Sequence, residues 1–426
     1  MKLLISDYDV EIDGVIEKTY SGLNTISAIY PVMDMERPRL CLINLFLFLF
    51  HSVILTVMTS SLVQASLELF YINFVPFVHE LHLAFLGLLS IAILWHSWLK
   101  RSNVTRLHRI ITQGFFDYKE NLEDKMKVLG EDRIKERKRH ILYVILIGFA
   151  ASVVVILIPA VNQFGTFRYN STAYKVNFDL PVPLPYPFMG TEPLDLLPGY
   201  TMIVVTASSI ALMNCTKSFM AIDCNLHIQM QLKLLLHQIE IIKSRAGRLY
   251  IKLYGTEPKY NGLKLYDKKF MKCYRICLRR SIQHHQIIVR ALNEFNEVFG
   301  FYVFFYYLTG TLDIAMSMLA TSSTKEFPGT TIGALIICIV EVGFVFVFAH
   351  MGQNITDLSV ELREVIYDMP WYRCDQETKT TMRVLQIATL KPLSFSFYSL
   401  LHINYDSFAT VLHSAYSYYN LVNAKN

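Results

Sequence analysis

Six stretches of roughly twenty predominantly apolar residues, and a seventh that is broken, constrain this chain more than anything else in it. They cover residues 40–63, 77–97, 141–163, 199–221, 297–320, 329–350 and 385–422. A helix needs about 20 such residues to cross a hydrocarbon core, so the pattern predicts seven transmembrane helices. The last stretch is interrupted by Lys391-Pro392 and by the polar run His402-Ile403-Asn404-Tyr405-Asp406, which leaves about one span's length after residue 403. Composition agrees: 53% of the 426 residues are apolar and only 18% charged, against about a quarter in soluble domains. The 28 Phe and 25 Tyr suit helix interfaces and headgroup-level positions.

The positive charge alternates along the chain. Residues 98–140 hold twelve Lys or Arg, including Lys135, Arg137, Lys138 and Arg139; residues 223–285 hold thirteen, and the head of the chain holds four. Residues 64–76 hold none, 164–198 only Arg168 and Lys175, and 321–328 only Lys325. By the positive-inside bias, the amino end is expected in the cytoplasm and the carboxyl end outside, opposite to a G-protein-coupled receptor. The polar first 38 residues, with Asp7, Asp9, Glu11 and Asp13, do not read as a cleavable signal peptide. None of the seven Cys falls in a stretch expected outside, so a disulfide-bridged ectodomain is not expected.

The expected class is therefore an all-α membrane protein. Its organisation reads as a cytoplasmic segment (1–38), transmembrane helices one to four (39–222) with an outer loop at 164–198, and a cytoplasmic helical region (223–296). Helices five and six (297–350), a second cytoplasmic segment with the first part of helix seven (351–402), and the remainder of helix seven (403–426) follow. The inner segments have helical periodicity with charge on one face, so they are expected to prolong the spans and pack beneath the membrane. The outer loop carries the sequon Asn170-Ser171-Thr172, a glycosylation acceptor, and Pro181, Pro183, Pro185 and Pro187, which enforce extended backbone. It reads equally as a lid or as a connector.

Enzyme chemistry is not expected. No phosphate-cradling glycine loop and no nucleophile elbow is present. His79-x-x-His82 and His284-His285 are His pairs of a kind that more often packs or hydrogen-bonds than binds metal, so neither a metal nor a cofactor is expected. The basic segments follow from topology and do not call for nucleic acid. Ionisable residues at membrane depth, His79, Glu80, His82, Asp313 and Glu341, are functional candidates, because charge there is costly unless it faces a cavity or a partner. The alternatives are hydration of Asp313 near the outer interface and pairing of Glu341 with a neighbouring helix.

The final third carries a fixed-spacing run: Gly352-Gln353, Ser359, Leu362, Ile366-Tyr367, Trp371-Tyr372, Lys391-Pro392-Leu393, Phe397, Phe408 and the terminal Tyr416-Ser417-Tyr418-Tyr419-Asn420-Leu421-Val422. This run resembles the carboxyl-terminal signature of the insect odorant receptors, seven-span proteins of inverted topology. The resemblance implies a ligand-gated, nonselective cation channel in the plasma membrane of olfactory neuron dendrites, assembled as a tetramer around one pore. It implies that Ser359, Leu362, Ile366, Tyr367, Trp371 and Tyr372 belong to the cytoplasmic anchor between subunits, and that Tyr418, Leu421, Val422 and Lys425 line the pore. Leu421 falls where the family has an apolar constriction, and apolar rings gate by dewetting. The ending resembles a ligand-tuning subunit rather than the shared co-receptor, Orco. Four copies of Lys425 around a cation pore would repel one another, whereas one beside three co-receptor subunits is tolerable; the alternative is a solvated terminus.

The resemblance also implies an odorant pocket in the outer half of each subunit, closed and mostly apolar. The candidate lining is His79, His82 and Leu83 on span two, Ser152 and Ile156 on span three, and Met202, Thr206 and Ser209 on span four. Span five offers Tyr302, Phe305, Tyr306 and Thr309, and span six Thr331 and Leu335. Such a lining fits a small volatile with one hydrogen-bonding group; helix packing is the alternative for each residue. Two rival readings remain. A gustatory receptor would share the topology but ends in Thr-Tyr, apolar residues and Gln-Phe, which this chain lacks. A small-molecule secondary transporter should show an internal repeat, and none is evident.

Overall fold

The computed structural model describes residues 26–28, 38–70, 74–112, 116–118, 123–163, 175–177, 180, 182–185, 193–258, 268–323, 328–398 and 400–424. Long helices dominate: α1 (Pro38–Phe70), α2 (Phe74–Leu99), α3 (Arg101–Thr112), α4 (Glu123–Gln163), α5 (Pro193–Glu240) and α6 (Ile242–Tyr254). Then come α7 (Lys268–Ser323), α8 (Pro328–Asp368), α9 (Gln376–Ala388) and α10 (Tyr405–Asn423). Two short antiparallel pairs complete the fold: β1 (Val176–Asn177) with β2 (Leu184–Pro185), and β3 (Ser396–Phe397) with β4 (Leu401–His402).

Five helical stretches among the described residues are long and apolar enough to cross a membrane: Leu42–Phe70, Glu80–Leu99, Asp195–Glu240, Lys268–Leu319 and Ile332–Arg373. The expected third stretch, 141–163, forms the second half of α4, and the expected remnant after residue 403 is α10. At 56 residues, α7 is about 84 Å long, nearly three times a hydrocarbon core. Apolar half and charged half are one uninterrupted helix, as they are in α4, α5 and α8. The charged halves of these helices gather with α3, α6 and α9 into a basal bundle.

The interior of that bundle is partly polar, and several of its polar groups are paired. Arg245, 1% exposed, donates to the Gln238 carbonyl (3.1 Å) and to Ser281 (3.3 Å), with its guanidinium 4.6 Å above the Tyr118 ring. The His284 imidazole lies 2.8 Å from the Tyr118 hydroxyl and 3.0 Å from the Gln231 amide oxygen. Burial, with the His285 ring and Arg245 beside it, pushes His284 down to about 3, so it is neutral at physiological pH. Burial likewise takes His227 down to about 3. Helix ends carry ordinary stops: Gly255, at φ +70°, caps α6 through its N–H to the Ile251 carbonyl. Asp375 accepts from the Thr378 N–H at the start of α9.

At the other end, the proline-rich loop folds onto the helices. Leu180, Val182 and Leu184 are buried against Met58 and Leu62 of α1, Ala84 of α2 and Ile203 of α5. Gly199 makes this seat possible, since a Cβ there would sit 2.8 Å from both Leu180 methyls. Leu184–Pro185 is extended, as its prolines require, but α5 begins at Pro193, so the loop is shorter than the expected 164–198. Pro198 lies within the first two turns of α5, near the end where a missing backbone N–H costs least.

Candidate functional site: a polar cluster between apolar helices, and the final helix

Three helices bring ionisable side chains together in the midst of apolar sequence. His82 of α2, Asp313 of α7 and Glu341 of α8 are all buried, and their nitrogen and oxygen atoms lie within 4.8 Å of one another. His82 Nδ1 approaches Asp313 Oδ1 to 2.9 Å. The Tyr306 hydroxyl, about two α7 turns before Asp313, donates to Glu341 Oε1 across 3.5 Å. Gly310 faces this contact: a Cβ there would lie 3.4 Å from Val345 and 3.6 Å from Glu341 Oε2. Small residues at such points let helices approach closely, which is what holds apolar helices together where lipid removes the hydrophobic drive.

Below the cluster an aromatic column continues. Tyr306 packs on Tyr302 (centroids 5.8 Å), Phe344 (5.5 Å) and Phe348 (6.3 Å). The Tyr302 hydroxyl lies 3.1 Å from Ser218 Oγ of α5. Next to it Lys217, wholly buried, donates to Ser97 of α2 (3.0 Å) and sits 5.0 Å over the Phe299 ring. Sequence reasoning passed over Lys217 and Ser218, yet a lysine in an otherwise apolar window was a visible signal.

The predicted pocket residues divide into groups. His82, Tyr302 and Tyr306 meet in the column just described. Leu83 and Met202 pack with the cluster beneath the folded loop. Ser209 lies 3.1 Å from His51 of α1, whose other ring nitrogen is 3.1 Å from the Ile26 carbonyl. Thr206 is buried nearby on α5, its hydroxyl without a hydrogen-bond partner among the described residues. Phe305 turns toward a different group, Phe301 (4.6 Å) and Phe304 (5.3 Å), which in turn meets Phe397 of β3. Thr309 bonds back to the Phe305 carbonyl of its own helix, and Leu335, 53% exposed, lies on the outside of α8. His79, Ser152, Ile156 and Thr331 lie in helices, with side chains outside the described residues; Asn170 lies outside them altogether.

The signature residues hold the end of the chain. Ser359 Oγ accepts from the Leu393 N–H (2.9 Å), just past Lys391-Pro392, and Leu362 and Ile366 are fully buried beneath it. Asn296 of α7 donates to the Ser394 carbonyl and accepts from the Ser396 N–H, each at 3.2 Å. Gly300 and Gly352 let the β3–β4 hairpin touch α7 and α8: a Cβ on Gly300 would lie 2.8 Å from the Ser396 carbonyl, and one on Gly352 would collide with the Ile403 carbonyl. Beside the hairpin, His96, Lys100, Asn293, Glu297, Phe301 and Tyr398 line a cleft of about 410 Å³, with Lys100 and Glu297 paired at 2.5 Å.

In contrast, Tyr367, Trp371 and Tyr372 stand exposed on the surface of the single chain, at 67%, 39% and 60%. On α10, Val411 and Ala415 are buried, whereas Tyr418 and Leu421 are 50% and 60% exposed. Val422 is helical, with its side chain outside the described residues, as is all of Lys425.

The fold superimposes on the insect olfactory receptor OR5 from Machilis hrabei in complex with eugenol, with a TM-score of 0.76 over 96% of this chain and 97% of that one, at 12% identity. Another structure of the same receptor gives 0.73 over 97% and 98%, at 11% identity. In sequence, the odorant receptor coreceptor of Harpegnathos saltator is 28% identical over 170 residues, 39% of this chain and 33% of that protein. The odorant receptor 22c of Drosophila melanogaster is 20% identical over 146 residues, 34% of this chain and 35% of that one. The matched stretch thus spans about a third of the length of these curated relatives. The family described as 7tm Odorant receptor matches residues 73–416, from the start of α2 to the last turns of α10, and the chain belongs to that family of membrane receptors.

Proposed function

We propose that this chain is the odorant-binding subunit of a heterotetrameric, odorant-gated, nonselective cation channel, acting with the co-receptor in the dendritic plasma membrane of olfactory neurons. Seven spans, an amino end inside and a carboxyl end outside complete the reading. The observation that carries it is the division of α10 along its length: Val411 and Ala415 are buried against the chain's own helices, while Tyr418 and Leu421, in the last two turns, stand exposed. A helix so divided has apolar and aromatic last turns left uncovered within the monomer, and a shared pore satisfies that. The exposed Tyr367, Trp371 and Tyr372 fit an anchor that subunits cover in the same assembly.

The ligand is a small volatile held near the aromatic column and the residues beneath the folded loop. Supporting this, a receptor of the same fold was solved in complex with eugenol, a small aromatic molecule. Ligand binding favours the open pore by the difference in its affinity for the two states. Gly300 and Gly352 put the hairpin in direct contact with α7 and α8, a route by which movement of those helices reaches α10.

The test is electrophysiological. The chain is expressed alone and with the co-receptor, and currents are recorded over a panel of volatiles. Odorant-evoked cation currents only in the co-expressed cells are expected. Robust odorant-gated currents from the chain alone would remove the obligate heteromer, and silence to every volatile in both cells would remove the receptor reading.

A further inference from the structure

Two carboxylates and one imidazole converge from three helices in the apolar part of the molecule, and no hydrogen bond joins them to one another. His82 is 4% exposed, Asp313 0% and Glu341 4%. Although His82 Nδ1 and Asp313 Oδ1 are 2.9 Å apart, the approach is off the line of a hydrogen bond. Both ring nitrogens of His82 and both carboxylate oxygens of Asp313 are therefore buried without a hydrogen-bond partner among the described residues. Burying even one uncompensated charge costs several kcal/mol. An arrangement that aims two acids and an imidazole at one point offers three donors to a further positive group at that point.

We propose that His82, Asp313 and Glu341 form a binding site for a divalent transition-metal ion of the zinc class, joining α2, α7 and α8. Zinc binds imidazole nitrogen and carboxylate oxygen at about 2.0–2.2 Å, which places neighbouring ligand atoms roughly 3.3–3.6 Å apart. The ligand atoms here already lie within 4.8 Å of one another, a gap that small side-chain rotations close. The imidazole selects against calcium and magnesium, which prefer oxygen throughout. A doubly charged ion balances two carboxylates beside a neutral imidazole, leaving the site with no net charge.

The surroundings fit. The Tyr306 hydroxyl donates to Glu341 Oε1 (3.5 Å), the kind of supporting hydrogen bond that orients a metal-binding carboxylate. Gly310 leaves Glu341 room beside α7. Three protein ligands leave a coordination position for water or for a donor atom of a small molecule. Neighbours in sequence gave no hint of this site, because its members are 231 and 28 residues apart along the chain, the differences between positions 82, 313 and 341.

The experiment uses the full chain purified with its co-receptor, stripped with a chelator, loaded with ZnCl2 and desalted, and metal is counted by mass spectrometry. The same preparation is made with Asp313→Asn, Glu341→Gln and His82→Gln. Wild type is expected to retain one more zinc per chain than each variant, with at least tenfold weaker zinc binding in the variants. Loading wild type with Co²⁺ is expected to produce visible d–d absorption that zinc displaces. As a readout independent of any variant, zinc but not magnesium or calcium is expected to raise the wild-type unfolding temperature. Zinc content no higher in wild type than in correctly assembled variants, or an equal effect of magnesium, would overturn the proposal. None of these readouts depends on odorant-evoked current, so the site stands or falls separately from the channel reading.

Discussion

His284 shows how single residues set the conditions under which the basal bundle is stable. Its ring is buried between Tyr118 and Gln231, and burial together with His285 and Arg245 takes it down to about 3. An unfolded chain binds a proton at this residue below about 6.5, while the folded chain does not. Stability is therefore full above about 6.5 and falls as the pH drops from there toward 3, by up to about 1.4 kcal/mol per pH unit for this group. The buried His227, also near 3, acts in the same direction. Thermal unfolding of the purified protein in detergent is expected to show a lower midpoint at pH 5.5 than at pH 7.5. His284→Gln is expected to reduce that slope. Asp375 works the other way at the start of α9: burial would raise its carboxyl, but the Thr378 hydrogen bonds and the Arg275 guanidinium (2.7 Å) outweigh burial and hold it below the ordinary value.

Two glycines test the way elements are joined. Gly352→Ala would push a methyl into the Ile403 carbonyl, which belongs to backbone and cannot rotate away. A cost of about 1–3 kcal/mol is expected, read as a lower unfolding temperature and reduced odorant-evoked current. Gly130→Ala, in α4 with nothing within 4 Å of the new methyl, is expected to leave current unchanged and to stabilise by about 0.5–1 kcal/mol. Elements were the most legible level of this sequence. Hydropathy located α1, α2, α5, α7 and α8, and periodicity showed that α5 and α7 carry on as charged helices. The break at Lys391-Pro392 and the restart near residue 403 were also visible. The β3–β4 hairpin was not, since a pair two residues long on each strand has no periodicity to read. Tyr398, at φ +45°, sits at its turn, a conformation that a tyrosine does not advertise.

Meetings between helices were the least legible part of the candidate site. His82, Asp313 and Glu341 each stood out as charge in apolar sequence, but hydropathy carries no information about helix rotation. Their convergence therefore needed three-dimensional coordinates, as did the separation of Phe305 from Tyr306, adjacent residues that face different aromatic groups. The same reason explains Leu335, which periodicity alone allowed to face inward.

At the scale of the whole molecule, the exposed aromatic residues mark where the account expects other subunits. Tyr367 and Tyr372 stand more than half exposed beside buried Leu362 and Ile366. Large exposed apolar surface at the same end as a charged bundle suits an interface, where Tyr and Trp are favoured. Tyr367→Ala with Tyr372→Ala is expected to shift the purified complex from tetramer toward smaller species in mass photometry. Because both residues are on the surface, the unfolding temperature of the monomeric fraction is expected to change by little.

In the proposed channel, α10 lines the conduction pathway. Its most direct test places a cysteine at Leu421, exposed in the last turns of that helix, in a chain co-expressed with the co-receptor. A membrane-impermeant, positively charged thiol reagent is applied from outside while odorant-evoked current is recorded. The account predicts that Leu421→Cys loses most of its current on modification, faster with odorant present, while the unsubstituted chain is unaffected. Complete labelling of Leu421→Cys with current amplitude and cation selectivity unchanged would contradict it.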